Sequence, residues 1–134
     1  MKCHGLSAAQ LAERAVPPSS LSLLGLLRHL AEAERHWVRR VVGHEEVPGV
    51  HGADSWEGAV PDQAVADAAW AAWRAECAAV DDAVARTPLG ATGEDEEVGT
   101  VSLRWVLVHL VEEYARHNGH ADLLRERVDG EVGE

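Results

Sequence analysis

Eight histidines in 134 residues are the part of this chain most able to do chemistry. In His109-Leu-Val-Glu-Glu113-Tyr-Ala-Arg-His117-Asn-Gly-His120, the residues His109, Glu113 and His117 recur at i, i+4 and i+8, which puts them on one face of a helix. Side chains one turn apart have Cβ atoms roughly 5–6 Å apart, close enough to grip one metal ion at ligand distances of about 2 Å. The outer two stand about 12 Å apart along the axis. One ion therefore takes one of the two pairs, and a third ligand has to come from another helix. His29 and His36, seven residues apart, share a face of an earlier helix. His29 sits amid Leu26, Leu27 and Leu30, where an unpaired imidazole is costly to bury, so it is the better inward-pointing ligand. The spacing admits His109 with Glu113 or Glu113 with His117, each completed by His29 or His36. His4, His44 and His51 fall outside this pattern and read as partly exposed polar residues.

The elements that must carry these side chains are helical. The chain is rich in alanine, has no Phe, and shows no Asn-Gly or Asp-Gly turn between alternating strands, a composition that predicts an all-α domain. Apolar residues at Leu24, Leu27, Ala31, Val38 and Val41, after Pro17-Pro18-Ser19-Ser20, predict a helix from Leu21 to Val42. Residues Gly43 to Pro61 hold four Gly and two Pro and read as a long irregular loop. Asp62 caps a helix with the stripe Ala66, Ala69, Trp73, Cys77, Val80 and Val84, which stops at Thr87-Pro88. An acidic loop spans Gly90 to Gly99, and Thr100 or Ser102 caps a last helix that runs to about Arg127. A short turn of helix covers Ser7 to Arg14. The length predicts one domain over residues 1–134, with a core at about 5–127 and a frayed tail from 128 to 134.

Charge narrows the partners. Twelve Lys+Arg against 23 Asp+Glu give a formal charge of -11, which disfavours nucleic acid and anionic membranes. No signal core or membrane-length apolar run is present, and two cysteines without a Cys-x-x-Cys pair fit a reducing cytoplasm. Three long amphipathic helices leave a seam that a second copy would cover, so a homodimer is expected.

Two long segments carry a family resemblance. The stretch Ser102-Leu-Arg-Trp-Val-Leu-Val-His-Leu-Val-Glu-Glu-Tyr-Ala-Arg-His-Asn-Gly-His-Ala-Asp-Leu-Leu-Arg-Glu126 resembles the last helix of the actinobacterial mini-circle-protein family, within the DinB-like superfamily. Val16-Pro-Pro-Ser-Ser-Leu-Ser-Leu-Leu-Gly-Leu-Leu-Arg-His-Leu-Ala-Glu-Ala-Glu-Arg-His-Trp37 resembles its metal-bearing earlier helix. The resemblance runs from about Gly5 to Glu126. It implies an up-and-down helix bundle, commonly dimeric, with a divalent metal held by one His of the second helix and two residues one turn apart in the last. In the branch of mycothiol-dependent maleylpyruvate isomerase that last pair is Glu and His, which falls here on Glu113 and His117, with His29 as third ligand. Family members carry a helix before the segment resembling Lys2-Cys3-His4-Gly5-Leu6-Ser7, so the first bundle helix looks truncated.

Two imidazoles and one carboxylate leave a divalent ion with net positive charge and an open position, the arrangement of catalytic zinc. Water or a thiol there becomes a nucleophile at neutral pH. The resemblance implies thiol chemistry, a mycothiol S-transferase or isomerase acting on a small molecule, with zinc, nickel or manganese as the ion. The alternative is a non-catalytic metal-binding or dimeric helical interaction protein. His36, His109 and His120 are candidates for acid or base work. Asp122 and Arg125 read as a helix-surface ion pair, and Trp37, Trp70, Trp73 and Trp105 as packing residues. Trp56 reads as part of a lid, Cys77 as an inert core thiol and Cys3 as the modifiable cysteine.

Overall fold

In the computed structural model, which describes residues 2–51 and 55–133, four α-helices, a π-helical extension and one hairpin follow in the order α1, α2, π segment, α3, β1, β2, α4. Helix accounts for 59% and strand for 6%, so the all-α class holds with a small sheet attached. α1 (Ala8–Ala12) starts from a capping box in which Ser7 and Gln10 satisfy each other's backbone N–H. α2 (Leu23–Glu34) is capped by Ser22, whose hydroxyl accepts from Gly25 N at 3.0 Å. α3 (Gln63–Arg86) is capped by Asp62, which accepts from Ala64 N at 2.7 Å. α4 (Leu103–Asp129) is capped by Ser102 and closed by Gly130 at φ 81°, a left-handed position that suits glycine. No helix of the described residues is long and apolar enough to cross a membrane.

Three expectations are corrected here. The helix expected from Leu21 to Val42 is α-helical only to Glu34, and Arg35–Val42 is wound as a π-helix. That segment directs Arg35 and Arg39 at the carboxylate of Glu76 on α3, which is 2% exposed, with Arg39 Nη1 at 3.4 Å. A buried carboxylate needs such partners, and an apolar stripe on α3 does not announce it.

The acidic loop Gly90–Gly99 is in part a strand. β1 (Thr92–Asp95) pairs antiparallel with β2 (Gly99–Ser102), with Thr92 opposite Ser102 and Asp95 opposite Gly99. The turn is made by Asp95, whose side chain accepts from Glu97 N at 3.1 Å and Val98 N at 2.9 Å, and by Gly99 at φ 85°. Gly93 lets β1 press on the π segment, for a Cβ there would lie 1.9 Å from Val41 O. Last, the expected surface pair of Asp122 and Arg125 is replaced by ties to other partners. Arg125 bonds Asp129 through Nε at 3.0 Å, contacts Glu131, and donates Nη1 to the carbonyls of Lys2 and His4, each at 2.9 Å. Asp122 pairs with Lys2 rather than Arg125.

Apolar residues gather in two clusters. One joins α1, α2, α3 and the end of α4 through Leu11, Leu23, Leu24, Leu27, Ala66, Ala69 and Leu124. The other joins the π segment, β2 and the start of α4 through Val38, Val41, Val101, Leu103, Val106 and Leu110. Polar side chains from the middle of α2 and α4 meet between these cores.

Candidate metal centre

α2 supplies His29 and α4 supplies Glu113 and His117, and one donor atom from each lies within 4.8 Å of the others. His29 Nε2 is 3.3 Å from Glu113 Oε2, and His117 Nε2 is 3.2 Å from the same oxygen. The two α4 residues converge because i and i+4 share a face. His29 completes the set because α2 packs along that face. Donors that share an ion at about 2 Å are separated by about 3–3.5 Å in tetrahedral geometry, a spacing that the two Glu113–imidazole pairs already have and toward which the two imidazoles, within 4.8 Å, would close. Glu113 and His117 are mostly buried, while His29 keeps about a third of its side chain exposed.

Electrostatics prepare the donors. Burial alone would raise the Glu113 carboxyl, but its hydrogen bond with His29 and the neighbouring imidazoles of His117, His29 and His109 outweigh burial and hold it below the ordinary glutamate range. Burial lowers the His117 imidazole, helped by His29 and opposed by Glu113, so its lone pair is not lost to a proton at neutral pH. His120 Nδ1 lies 3.2 Å from His117 Nδ1. A proton on His117 Nδ1 donated to His120 leaves His117 Nε2 free as a ligand atom.

The other expected residues divide. His109 reaches only the far oxygen of Glu113, with Nε2 3.8 Å from Oε1. His36 does not join, and its Nε2 meets Asp95 Oδ2 at 3.0 Å. Seven residues from His29 it shares the face but stands about 10 Å further along the axis, level with the hairpin. Trp56 stacks on His29 with centroids 5.3 Å apart and an interplanar angle of 24°, as a lid residue would. Gly25 makes room, since a Cβ there would lie 2.7 Å from the Trp56 ring. Residues 52–54 of the expected loop lie outside the described residues. His51 is partly exposed as expected, and burial of the remainder lowers its imidazole. Cys3, the expected modifiable cysteine, is partly buried against the first core, and burial raises its thiol. Trp105, read as packing, is 38% exposed.

A second polar group next to the triad carries no metal-ligand spacing and went unread in the sequence. Tyr114 donates to Glu34 Oε1 at 2.8 Å and accepts from Trp73 Nε1 at 2.8 Å, and Cys77 Sγ lies 3.7 Å from the Tyr114 hydroxyl. Burial pushes the Glu34 carboxyl, the Cys77 thiol and the Tyr114 phenol upward, favouring the neutral form of each. Tyr114, Trp73 and His117 also line an apolar cavity of about 90 Å³, floored by Leu23, Leu26 and Leu27. The available signal was the placing of Glu34 in the apolar run of α2, a position where a carboxyl needs a donor.

No curated protein and no solved structure matches the chain significantly. A family model does, the one described as mycothiol-S-transferase, and it covers residues 1–130. Nearly the whole chain, including every donor of the triad, falls within that match, and the protein belongs to the mycothiol-S-transferase family.

Proposed function

We propose that this protein is a divalent-metal-dependent S-transferase that joins the thiol of mycothiol to a small electrophilic molecule. Family membership supports the thiol and the reaction class. The convergence of His29, Glu113 and His117 within 4.8 Å is the observation that supports metal dependence. These three are the assigned ligands, and zinc suits two imidazoles and a carboxylate, with nickel or manganese as other occupants. An ion bound there supplies positive charge that lowers the pKa of a thiol at its open position and fixes the sulfur beside the cavity. In the transfer the thiol gives up its proton, sulfur forms a bond to an electrophilic carbon, and the leaving group departs with its electron pair.

The surrounding residues supply the rest. Glu113 holds both imidazoles in register, and His120 fixes the orientation of His117. His109 and His120 border the ligands and are the candidates to receive the thiol proton, whereas His36 is engaged by Asp95. Trp56 on His29 limits water on one side. We place the chain in the mini-circle branch of the family on the two helix motifs, in the cytoplasm, and in a homodimer. Val108 at 56%, Val111 at 69% and Leu123 at 62% exposure leave α4 an apolar outer surface for a second copy.

Elemental analysis of the purified protein tests the site, with about one divalent ion per chain expected. Cobalt substitution then reads the chemistry, because thiolate binding gives a sulfur-to-cobalt charge-transfer band on adding mycothiol. Chloride release from 1-chloro-2,4-dinitrobenzene with mycothiol reads the transfer. A protein that takes up no zinc, nickel, manganese or cobalt overturns the proposal and leaves a helical interaction module.

A further inference from the structure

Beyond the triad, towards the hairpin, four aromatic rings collect between the π segment and the first turns of α4. Trp37 and Trp105 have centroids 5.3 Å apart at 60°, Trp37 and His109 4.9 Å at 73°, and Trp105 and His109 4.9 Å at 13°. His36 lies edge-on to Trp37 at 4.8 Å. Hydrogen-bonding groups border the rings. His36 Nε2 pairs with Asp95 Oδ2 at 3.0 Å, and His109 lies 3.8 Å from Glu112 through Nδ1 and 3.8 Å from Glu113 through Nε2.

Packing alone does not account for this surface. Val106, next to Trp105, is fully buried in the second core, whereas the larger indole is left 38% exposed. Leaving so large a ring in water forgoes much of the stabilisation its burial would give. Aromatic faces rimmed by a few polar groups suit a ligand with a C–H face and polar edges. A sugar ring is such a ligand, its C–H bonds packing on an indole while its hydroxyls reach imidazole and carboxylate.

We propose that the Trp37–Trp105–His109 surface, rimmed by His36 and Asp95, is the docking platform for the sugar–cyclitol portion of the thiol substrate. The identity of that ligand rests on the thiol-transfer reading above. Mycothiol carries its sulfur on an acetylated cysteine amide-linked to glucosaminyl-inositol, so one amino-acid residue separates sulfur from sugar, a reach of about one helix turn. His109 stands one turn from Glu113 and Trp105 two turns, about 12 Å along α4. With sulfur at the triad, the sugar falls on these rings. The apolar cavity beside His117, on the other side of the triad, is left for the electrophile. The ligand is held on α4 and on the π segment that continues α2, the two helices that carry the metal donors, which sets the sulfur by its polyol end.

The test uses glucosaminyl-inositol, which lacks the thiol, titrated into the intact protein by calorimetry. Wild type is expected to bind, Trp105→Ala to bind about tenfold or more weakly, and Trp105→Phe to keep most of the affinity, tenfold being about 1.4 kcal/mol. Circular dichroism melts confirm that each variant is folded, as the exposure of Trp105 favours. No binding by wild type, or binding by Trp105→Ala within about twofold of wild type, overturns the platform. Tighter binding of tetramethylammonium than of the pseudodisaccharide also overturns it, since that is the mark of a cation cage. The probe needs no sulfur and no metal. Pseudodisaccharide binding without a cobalt–thiolate band therefore supports the platform and removes the thiol-transfer reading, while the band without binding does the reverse.

Discussion

Glu113 on α4 and Glu34 on α2 each reach across the seam between the two helices, and the fold treats them in opposite ways. Glu113 shares one oxygen with two imidazoles and is held anionic. Glu34, 5% exposed, has one oxygen bonded by Tyr114 and the other buried without a hydrogen-bond partner among the described residues, and burial pushes its carboxyl upward. The same side chain is held anionic where imidazoles surround it and is pushed toward its neutral form where burial outweighs the hydrogen bonds of a phenol and a thiol. Glu113 and Tyr114 are adjacent on α4, so the two environments meet at consecutive residues of one helix. Donors outweigh burial at Glu113 and burial outweighs donors at Glu34, so the balance of the two decides which carboxylate can hold a cation.

The sharpest break of that contrast is Glu113→Ala, expected to weaken metal binding by about 100-fold or more, the top of the range for losing an outer-shell partner alone. Glu34→Gln should leave it unchanged, as should His44→Ala at an exposed position. Elemental analysis after dialysis against a weak chelator reads all three, and metal loss in Glu34→Gln would erase the distinction. His120→Ala removes only the group that orients His117, and a loss of roughly 10–100-fold in zinc affinity is expected from competition with a chromophoric chelator. Tyr114→Phe acts on the Glu34 group. It strips the donor from Glu34 and the acceptor from Trp73, and should cost about 1–3 kcal/mol in urea unfolding while metal content stays intact.

The smallest effect is in the pH dependence of the metal-free protein. A carboxyl whose folded pKa is raised binds more protons folded than unfolded, so Glu34 opposes folding increasingly as pH rises above the ordinary glutamate value of 4.5. Glu113 has the opposite sign, since its lowered pKa contributes stability above 4.5 that is lost as pH falls through the folded value. Glu34→Gln should therefore stabilise the metal-free protein at pH 7, by about 0.5–1.5 kcal/mol at most, and Glu113→Gln should destabilise it. Denaturant melts at pH 4 and pH 7 measure both, and shifts of equal sign at pH 7 would refute the opposite directions of the two pKa shifts.

The sequence by itself determined the helices and the metal-ligand candidates, because both depend on local periodicity. Ser22, Asp62 and Ser102 cap helices through their own neighbours, and Glu113 and His117 meet on one face since helical geometry requires it. Spacing left open which pair would act and whether His29 or His36 would join. The resemblance pointed to His29, Glu113 and His117, and the packing brings those three together. His36 went to the hairpin because its height on the axis matches Asp95, a residue 59 positions away. Only the tertiary structure decided the rest. The π winding of Arg35–Val42 answers Glu76 on another helix, and the hairpin depends on Gly93 meeting the backbone of Val41. Glu34 is raised by a burial that α3 and α4 complete, against the opposing hydrogen bonds of Tyr114 and Cys77. Periodicity reports which face of an element turns inward, and it is silent on which partner from a distant element waits there.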